Sequence, residues 1–173
     1  MFYLHSENQF YINIISNTLS QKSNLFTNNQ NKKNYGTIDF TFDQSSLVLN
    51  LEKEYIKMKL PMSFYNLFSA MIELTSTYAV NFGGFKYLPI KQIMILDDQK
   101  LKLNNLHNLI INQLFLYRDG VNKVELYKHL WPNDKEVYIN KLDTHLTNLK
   151  NYLGENLKFN FVSNKGILRL VVD

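Results

Sequence analysis

The clearest hydrophobic pattern in the chain lies in its C-terminal third. Apolar side chains recur there every three or four positions, the spacing of one face of an α-helix. They are Ile139, Leu142, Leu146, Leu149 and Leu153. The opposite face carries Asn140, Thr144, Thr147, Asn148 and Asn151, with Lys141 and Lys150 on its flanks. The pattern predicts a helix over residues 138–153 that buries a leucine stripe and exposes a polar face without carboxylates.

A shorter helix is predicted just upstream, and a hairpin just downstream. Asn122 followed by Glu125 is typical of a helix start, and Pro132 ends the apolar face that follows. Gly154 is placed as a helix stop after the second helix. Two apolar strands then flank Asn164-Lys165-Gly166, which suits a tight turn with Lys165 at its tip. Helix, helix and hairpin in this order predict a helix-turn-helix with a wing, an arrangement that suits DNA major-groove binding.

The rest of the chain divides into a strand pair, a first helix and an N-terminal half. Strands are predicted at 90–96 and 100–103, before a helix at 105–118. The N-terminal half shows strand patterns at 1–6, 37–43, 47–51 and 56–60, with helical patterns at 7–22 and 62–78. Residues 81–87 contain Gly83-Gly84 and indicate a linker. The predicted domains are therefore 1–80 and 88–173, joined by the linker 81–87.

The C-terminal half resembles the DNA-binding domain of OmpR/PhoB-type winged-helix response regulators. NKVELYKHLW at 122–131 and LDTHLTNLKNYL at 142–153 are similar to the family's second helix and recognition helix. VSNKGILRL at 162–170 resembles the wing. This resemblance covers residues 88–173. It implies an α+β fold: a C-terminal winged helix-turn-helix with a small N-terminal sheet, preceded by an α/β receiver-like domain.

The N-terminal half is similar to a shortened, degenerate receiver domain. The paired acidic residues that receivers carry after the first strand are absent, and His5, Ser6 and Glu7 stand there instead. Asp43 follows a strand, but we expect a structural role for it and no phosphorylation site. The resemblance therefore implies a transcriptional regulator that acts without receiver phosphorylation, with homodimer formation through the N-terminal domain.

The expected DNA contacts come from the second helix and the wing. Base edges would be read by Thr144, Asn148 and Asn151, and phosphates would be held by Lys141, His145 and Lys150. The wing contributes Arg169 and also Lys165, which would reach the DNA backbone or minor groove. Family members carry arginines where this chain has Asn148 and Lys150. That difference favours contacts with adenine over contacts with guanine.

Composition changes this picture only in part. The formal charge of the 173 residues is +4, and residues 88–173 carry 12 Lys and Arg against 9 Asp and Glu, a surplus of +3. That surplus fits a double-stranded DNA partner but is small. It leaves open an alternative, a winged-helix protein–protein interaction module that has lost specific DNA binding.

Other classes of function have little support in the sequence. The chain has no Cys, which excludes disulfides and thiolate metal sites. It shows no catalytic or phosphate-binding motif, so we expect no enzyme activity, cofactor, metal site or small-molecule substrate. No signal peptide or membrane span is evident, so a cytoplasmic location is expected.

Overall fold

A computed structural model describes residues 1–20, 25–29, 33–96, 98–153 and 159–172. The chain is mixed α+β and forms two compact units, Met1–Tyr78 and Ala79–Asp173. The helix stop predicted at Gly154 lies outside the described residues. Within the described ranges, no helix combines the length and hydrophobicity needed to cross a bilayer.

The first unit is built on a five-stranded mixed sheet. Its elements are β1 (Phe2–His5), α1 (Gln9–Ser20), β2 (Phe26–Thr27), β3 (Thr37–Phe42), β4 (Ser46–Leu51), β5 (Glu54–Lys59) and α2 (Phe64–Ser76). The strand order is β2-β1-β3-β4-β5, in which β1 is parallel to β2 and β3, and the other neighbours are antiparallel. Phe2, Leu4, Ile38 and Leu49 are almost completely buried in its core.

The α/β architecture expected for this unit is wrong, because β4 is antiparallel to its neighbours. The order is that of flavodoxin-like doubly wound sheets, whose strands are all parallel. Here only residues 43–45 join β3 to β4, and only residues 52–53 join β4 to β5. A parallel pair needs a crossover of a dozen or more residues, so these short loops impose antiparallel hairpins. The unit is therefore mixed α+β instead of α/β.

In its described residues, the second unit has two small antiparallel sheets and three helices. Its elements are β6 (Val80–Phe82), β7 (Phe85–Leu88), β8 (Ile93–Leu96), β9 (Gln99–Lys102), α3 (Asn105–Leu116), β10 (Val121–Asn122), α4 (Lys123–Leu130), α5 (Ile139–Leu153), β11 (Phe159–Asn164) and β12 (Ile167–Val172). One sheet has the order β6-β7-β8-β9, and the other has the order β10-β12-β11. The helices at 105–116, 123–130 and 139–153 lie where the sequence predicted them.

The linker predicted at 81–87 is wrong, because these residues form most of the β6–β7 hairpin. Gly83 and Gly84 have positive φ angles of 52° and 85° and make its two-residue turn. Phe85 and Tyr87 are buried, and the Tyr87 hydroxyl donates a hydrogen bond to Asn108 Oδ1 of α3 at 2.6 Å. The glycine pair therefore marks a hairpin turn inside the second unit, which begins at Ala79.

The helices of the second unit surround a common core that fixes α5. α3 packs against α4 and β12, and α4 packs against α5. Asn122 caps α4, since its side-chain oxygen accepts hydrogen bonds from the backbone N–H groups of Val124 (2.8 Å) and Glu125 (3.3 Å). The helix-start prediction at Asn122 is thus confirmed. The apolar stripe of α5 completes the core with four buried leucines: Leu142, Leu146, Leu149 and Leu153.

Candidate nucleic-acid interface

The exposed face of α5 is a neutral surface of amides and hydroxyls. We call it the α5 polar face; it consists of Asn140, Thr144, Thr147, Asn148 and Asn151, and all five residues are exposed. The leucines on the opposite side of the helix are at most 6% exposed, so they hold the helix against the core. The α5 polar face carries no carboxylate, and a 15-residue helix of this kind presents about 22 Å of continuous surface.

A cluster of four side chains fixes the turn between α4 and α5. This turn cluster consists of Tyr127, Trp131, Asp134 and Lys141. The Tyr127 hydroxyl and Lys141 Nζ both donate hydrogen bonds to Asp134 Oδ2, at 2.5 and 2.9 Å. Lys141 Nζ also lies 4.4 Å from the centroid of the Trp131 ring, within cation–π range. The cluster therefore joins the last turn of α4 to the first turn of α5.

The charged groups of the turn cluster stabilise one another in their ionised forms, and the pKa of each shifts accordingly. The hydrogen bonds from Tyr127 and Lys141 lower the pKa of the Asp134 carboxyl below its usual range. The same carboxylate raises the pKa of Lys141. Burial, followed by the hydrogen bond to Asp134, raises the pKa of Tyr127. Lys141, predicted from the sequence as a phosphate contact, thus has an intramolecular partner that compensates its charge.

Aromatic contacts hold one flank of α5 against the rest of the unit. The His145 ring lies 5.5 Å from the Trp131 ring, so this predicted phosphate contact is half-buried beside the turn cluster. Tyr152 contacts buried His107 at 5.8 Å, and its hydroxyl donates a hydrogen bond to the Lys102 carbonyl of β9 at 2.5 Å. Burial, and then the neighbouring His145, lower the pKa of His107. This flank is therefore occupied by protein contacts.

The hydroxyls of the α5 polar face are used within the helix. Thr144 donates its hydroxyl proton to the Asn140 carbonyl at 2.8 Å, and Thr147 donates its own to the Asp143 carbonyl at 3.0 Å. Such bonds to the carbonyl four residues earlier are typical of threonine inside a helix. The side chains of Asn148 and Asn151, predicted from the sequence to read bases, are exposed on the same face.

The β11–β12 hairpin is the second predicted contact element. Lys165 and Gly166, with φ angles of 48° and 78°, form its two-residue turn, so Lys165 stands at the tip as predicted. The Gly166 carbonyl accepts a hydrogen bond from Lys123 N at 2.8 Å, which ties the tip to the start of α4. Lys123 Nζ in turn forms an ion pair with Asp143 of α5 at 2.6 Å. The hairpin and α5 are thereby linked through one lysine.

The cations around α5 and the hairpin differ in whether a carboxylate compensates their charge. Lys141 and Lys123 are paired with Asp134 and Asp143. Lys150, Lys165 and Arg169 are exposed, and none of them forms an ion pair within the described part of the chain. Three of the predicted cationic contacts therefore keep an uncompensated charge.

Two structural partners in this region were not predicted from the sequence. The sequence indicated no partner for Asp134 or for Asp143. In the structure, Asp134 lies seven residues from both Tyr127 and Lys141 along the chain. Asp143 lies 20 residues from Lys123. Neither separation is a helical neighbour spacing, so no local sequence signal indicated these pairs.

The first unit has a polar cleft at the ends of its parallel strands. It has a volume of about 390 Å³ and is lined by residues 5–8 and 39–42. Two of these lining residues are paired, since His5 Nδ1 lies 2.8 Å from Asp39 Oδ1. Asp43, weighed in the sequence as a phosphoacceptor, lies in the β3–β4 turn, where its carboxylate accepts a hydrogen bond from Gln44 N at 2.7 Å. That geometry gives Asp43 a structural role in the turn.

The fold and site define a two-unit α+β protein with an exposed neutral helix face beside a basic hairpin. No protein-family model matches its sequence, and no curated protein matches it either. Among solved structures, the chain is similar to the C-terminal domain of the nisin resistance regulator NsrR, a lantibiotic response regulator. The two are 26% identical with a TM-score of 0.40, over 51% of this chain and 93% of that domain.

Proposed function

We propose that this protein is a DNA-binding transcriptional regulator of the winged helix-turn-helix type. In this proposal, α5 enters the major groove of double-stranded DNA with the α5 polar face toward the bases. The β11–β12 hairpin is the wing and holds the sugar-phosphate backbone through Lys165 and Arg169. Lys150, on the flank of α5, contacts a phosphate at the edge of the groove.

The observation that carries this proposal is the contrast between the two sides of α5. One side packs into the core through four leucines, and the other exposes amides and hydroxyls. Asp143, a half-exposed carboxylate at the edge of that face, is neutralised by its ion pair with Lys123. Asparagine side chains can bond adenine in a bidentate manner, and the major groove is wide enough to admit an α-helix. The exposed side of α5 therefore offers groups that can bond base edges.

Dimer formation through the first unit is part of the proposal. β5 is an edge strand of the five-stranded sheet, and next to it Tyr55 and Tyr65 are 70% and 77% exposed. Exposed aromatic side chains beside an open strand edge are typical of association surfaces. Because Asp43 serves the β3–β4 turn, we infer that assembly is independent of phosphorylation. Sedimentation of the full chain measures assembly, and a monomer at DNA-binding concentrations contradicts this part.

One observation favours the alternative, a protein–protein interaction module. Asp134 compensates the charge of Lys141, so the α5 polar face is nearly neutral along one flank. DNA phosphates would gain little electrostatic attraction from that flank, whereas a polar protein surface could pack against it. We nevertheless place DNA first because Lys150, Lys165 and Arg169 remain exposed around the same face.

The test is binding of the full chain to random double-stranded fragments at low salt, followed by salt titration. We expect selection of a preferred sequence, and Lys150→Ala should reduce the salt slope by about one. Lys86→Ala on β7 is the matched control, because Lys86 is also exposed but lies outside α5 and the hairpin. Weak binding to every fragment, unchanged by Lys150→Ala, would refute the specific regulator and favour the interaction module.

A further inference from the structure

The threonines of the α5 polar face have lost the hydrogen-bond donor that base recognition commonly uses. The hydroxyl protons of Thr144 and Thr147 are both bonded to helix carbonyls. Each side chain therefore offers an outside partner a methyl group and an oxygen acceptor, but no donor. The two residues are three positions apart on one exposed face, which separates them by about 4.5 Å along the helix axis.

Only some base edges match that combination. In the major groove, thymine presents its 5-methyl group and adenine presents the N6 amino donor, so an A·T pair complements both a methyl and an acceptor. Guanine presents only acceptors, N7 and O6, and needs a donor that these threonines do not have. Cytosine presents an N4 amino donor but no methyl group, so it matches the acceptor alone. Of the two base pairs, only A·T complements both the methyl group and the acceptor of each threonine.

The lysines that could supply a guanine-reading donor are engaged elsewhere. Lys141 is held by Asp134 and lies over the Trp131 ring, while Lys123 is held by Asp143. Lys150 lies on the flank of α5, outside the α5 polar face. The remaining members of that face are asparagines, which pair best with adenine. Every exposed group at its centre thus suits A·T pairs.

We propose that Thr144 and Thr147 are specificity residues that read thymine 5-methyl groups through their own methyl groups. The DNA sites of this protein then contain A·T pairs at the centre of the α5 contact, with Asn148 or Asn151 on an adjacent adenine. This inference rests on the proposed function, since it names the substrate class of the same face.

Deoxyuridine provides a direct probe, because it differs from thymidine only by the missing 5-methyl group. A preferred site is first selected from random double-stranded DNA with the full chain. Each thymine of that site is then replaced by deoxyuridine in turn, and the Kd is measured. Loss of one buried methyl contact should weaken binding about fourfold at one or two positions and leave the other positions unchanged.

Two substitutions at each threonine separate the methyl from the hydroxyl. Thr144→Val keeps a methyl group and removes the hydroxyl, and Thr144→Ser does the reverse; the helix propensities of the two replacements are similar. We expect Thr144→Val to keep the preference for thymidine over deoxyuridine, and Thr144→Ser to abolish it at one position. Thr147→Val and Thr147→Ser should do the same at a neighbouring position.

The outcomes distinguish this inference from the proposed function. Sequence-specific binding with no effect of deoxyuridine at any position would overturn the methyl readout and leave the regulator proposal intact. So would a preference that survives Thr→Ser but is lost in Thr→Val, because the hydroxyl would then be the contact. Absence of specific DNA binding in the unmodified chain would overturn both.

Discussion

Substitution of Gly120 by alanine should destabilise the second unit more than the same change at Gly84 or Gly166. Gly120 precedes β10 and has a φ angle of 115°, a conformation that side-chain-bearing residues rarely adopt. An added Cβ would also overlap Ile167 Cγ2 of β12 and lie 2.9 Å from Arg169 Cγ. The turn before β10 therefore lies directly against the hairpin that we propose as the wing.

The magnitude follows from these two effects. A left-handed backbone costs a non-glycine residue roughly 1–2 kcal/mol. Forcing an extra carbon into a packed contact with a β-branched strand residue adds about 1–3 kcal/mol. We therefore expect Gly120→Ala to lose about 2–5 kcal/mol, a large part of the roughly 5–15 kcal/mol that stabilises a typical domain.

Gly84→Ala and Gly166→Ala are matched controls. Their φ angles of 85° and 78° are also positive, but an added Cβ meets no atom within 4 Å at either position. Both controls should therefore show only the backbone cost of roughly 1–2 kcal/mol. The difference between Gly120→Ala and these controls isolates the steric overlap with β12.

The assay is urea unfolding followed by tryptophan fluorescence. Trp131 is the only tryptophan and lies in the second unit, so its emission reports the unfolding of that unit. Urea midpoints are compared between variants whose m-values are equal, because a midpoint that shifts at constant m-value reports a change in stability alone. If Gly120→Ala falls within about 0.5 kcal/mol of the two controls, the turn does not pack against Ile167 as described, and the reasoning fails.

Two further predictions concern the ends of α4. Asp134→Asn should lower the Tm at neutral pH but not in acid. The pKa of Asp134 in the folded protein lies below its ordinary value of 3.8. The stabilisation that its carboxylate provides is therefore present above about pH 4 and is lost as the pH falls through the folded-state pKa. Thermal unfolding from pH 2 to 7 measures this, and a Tm difference independent of pH contradicts it. Asn122→Ala should cost about 0.5–2 kcal/mol in urea unfolding because it removes the cap of α4. Asn122→Asp, which keeps an acceptor oxygen, should cost less, and equal losses would exclude the capping role.

The elements that local signals specify were predicted well. The leucine stripe of α5, the Asn122 cap and the Lys165-Gly166 turn each depend on neighbouring residues, and each lies where the sequence indicated. The β6–β7 hairpin was missed because Gly83-Gly84 suits a linker and a tight turn equally. The overlooked signal is the alternation of buried Phe85 and Tyr87 with exposed Lys86, which indicates a strand facing a core.

The charge state of the candidate site could not be predicted in the same way. Sequence alone showed Lys141 and Lys150 as equivalent flank residues of one helix. Only Lys141 has its charge compensated, because the turn after Pro132 brings Asp134 within hydrogen-bond distance of it. That contact depends on tertiary geometry. The sequence also did not show that the Thr144 hydroxyl donates its hydrogen bond to the Asn140 carbonyl, because the rotamer of a side chain is not evident from the residue order.

Because Asp143 and Asp134 compensate the charges of Lys123 and Lys141, few cations of the proposed interface are left to hold DNA phosphates. Among the described residues of the proposed interface, Lys150, Lys165 and Arg169 are the cations without an ion pair, and each phosphate contact contributes about −0.9 to the salt slope. One copy should therefore show a slope near −3, and its affinity should fall roughly 40-fold between 50 and 200 mM salt. So few phosphate contacts give weak nonspecific binding. Useful affinity must come from base contacts on the α5 polar face and from two copies acting together, which is why base selectivity and assembly are the properties on which the proposed function depends.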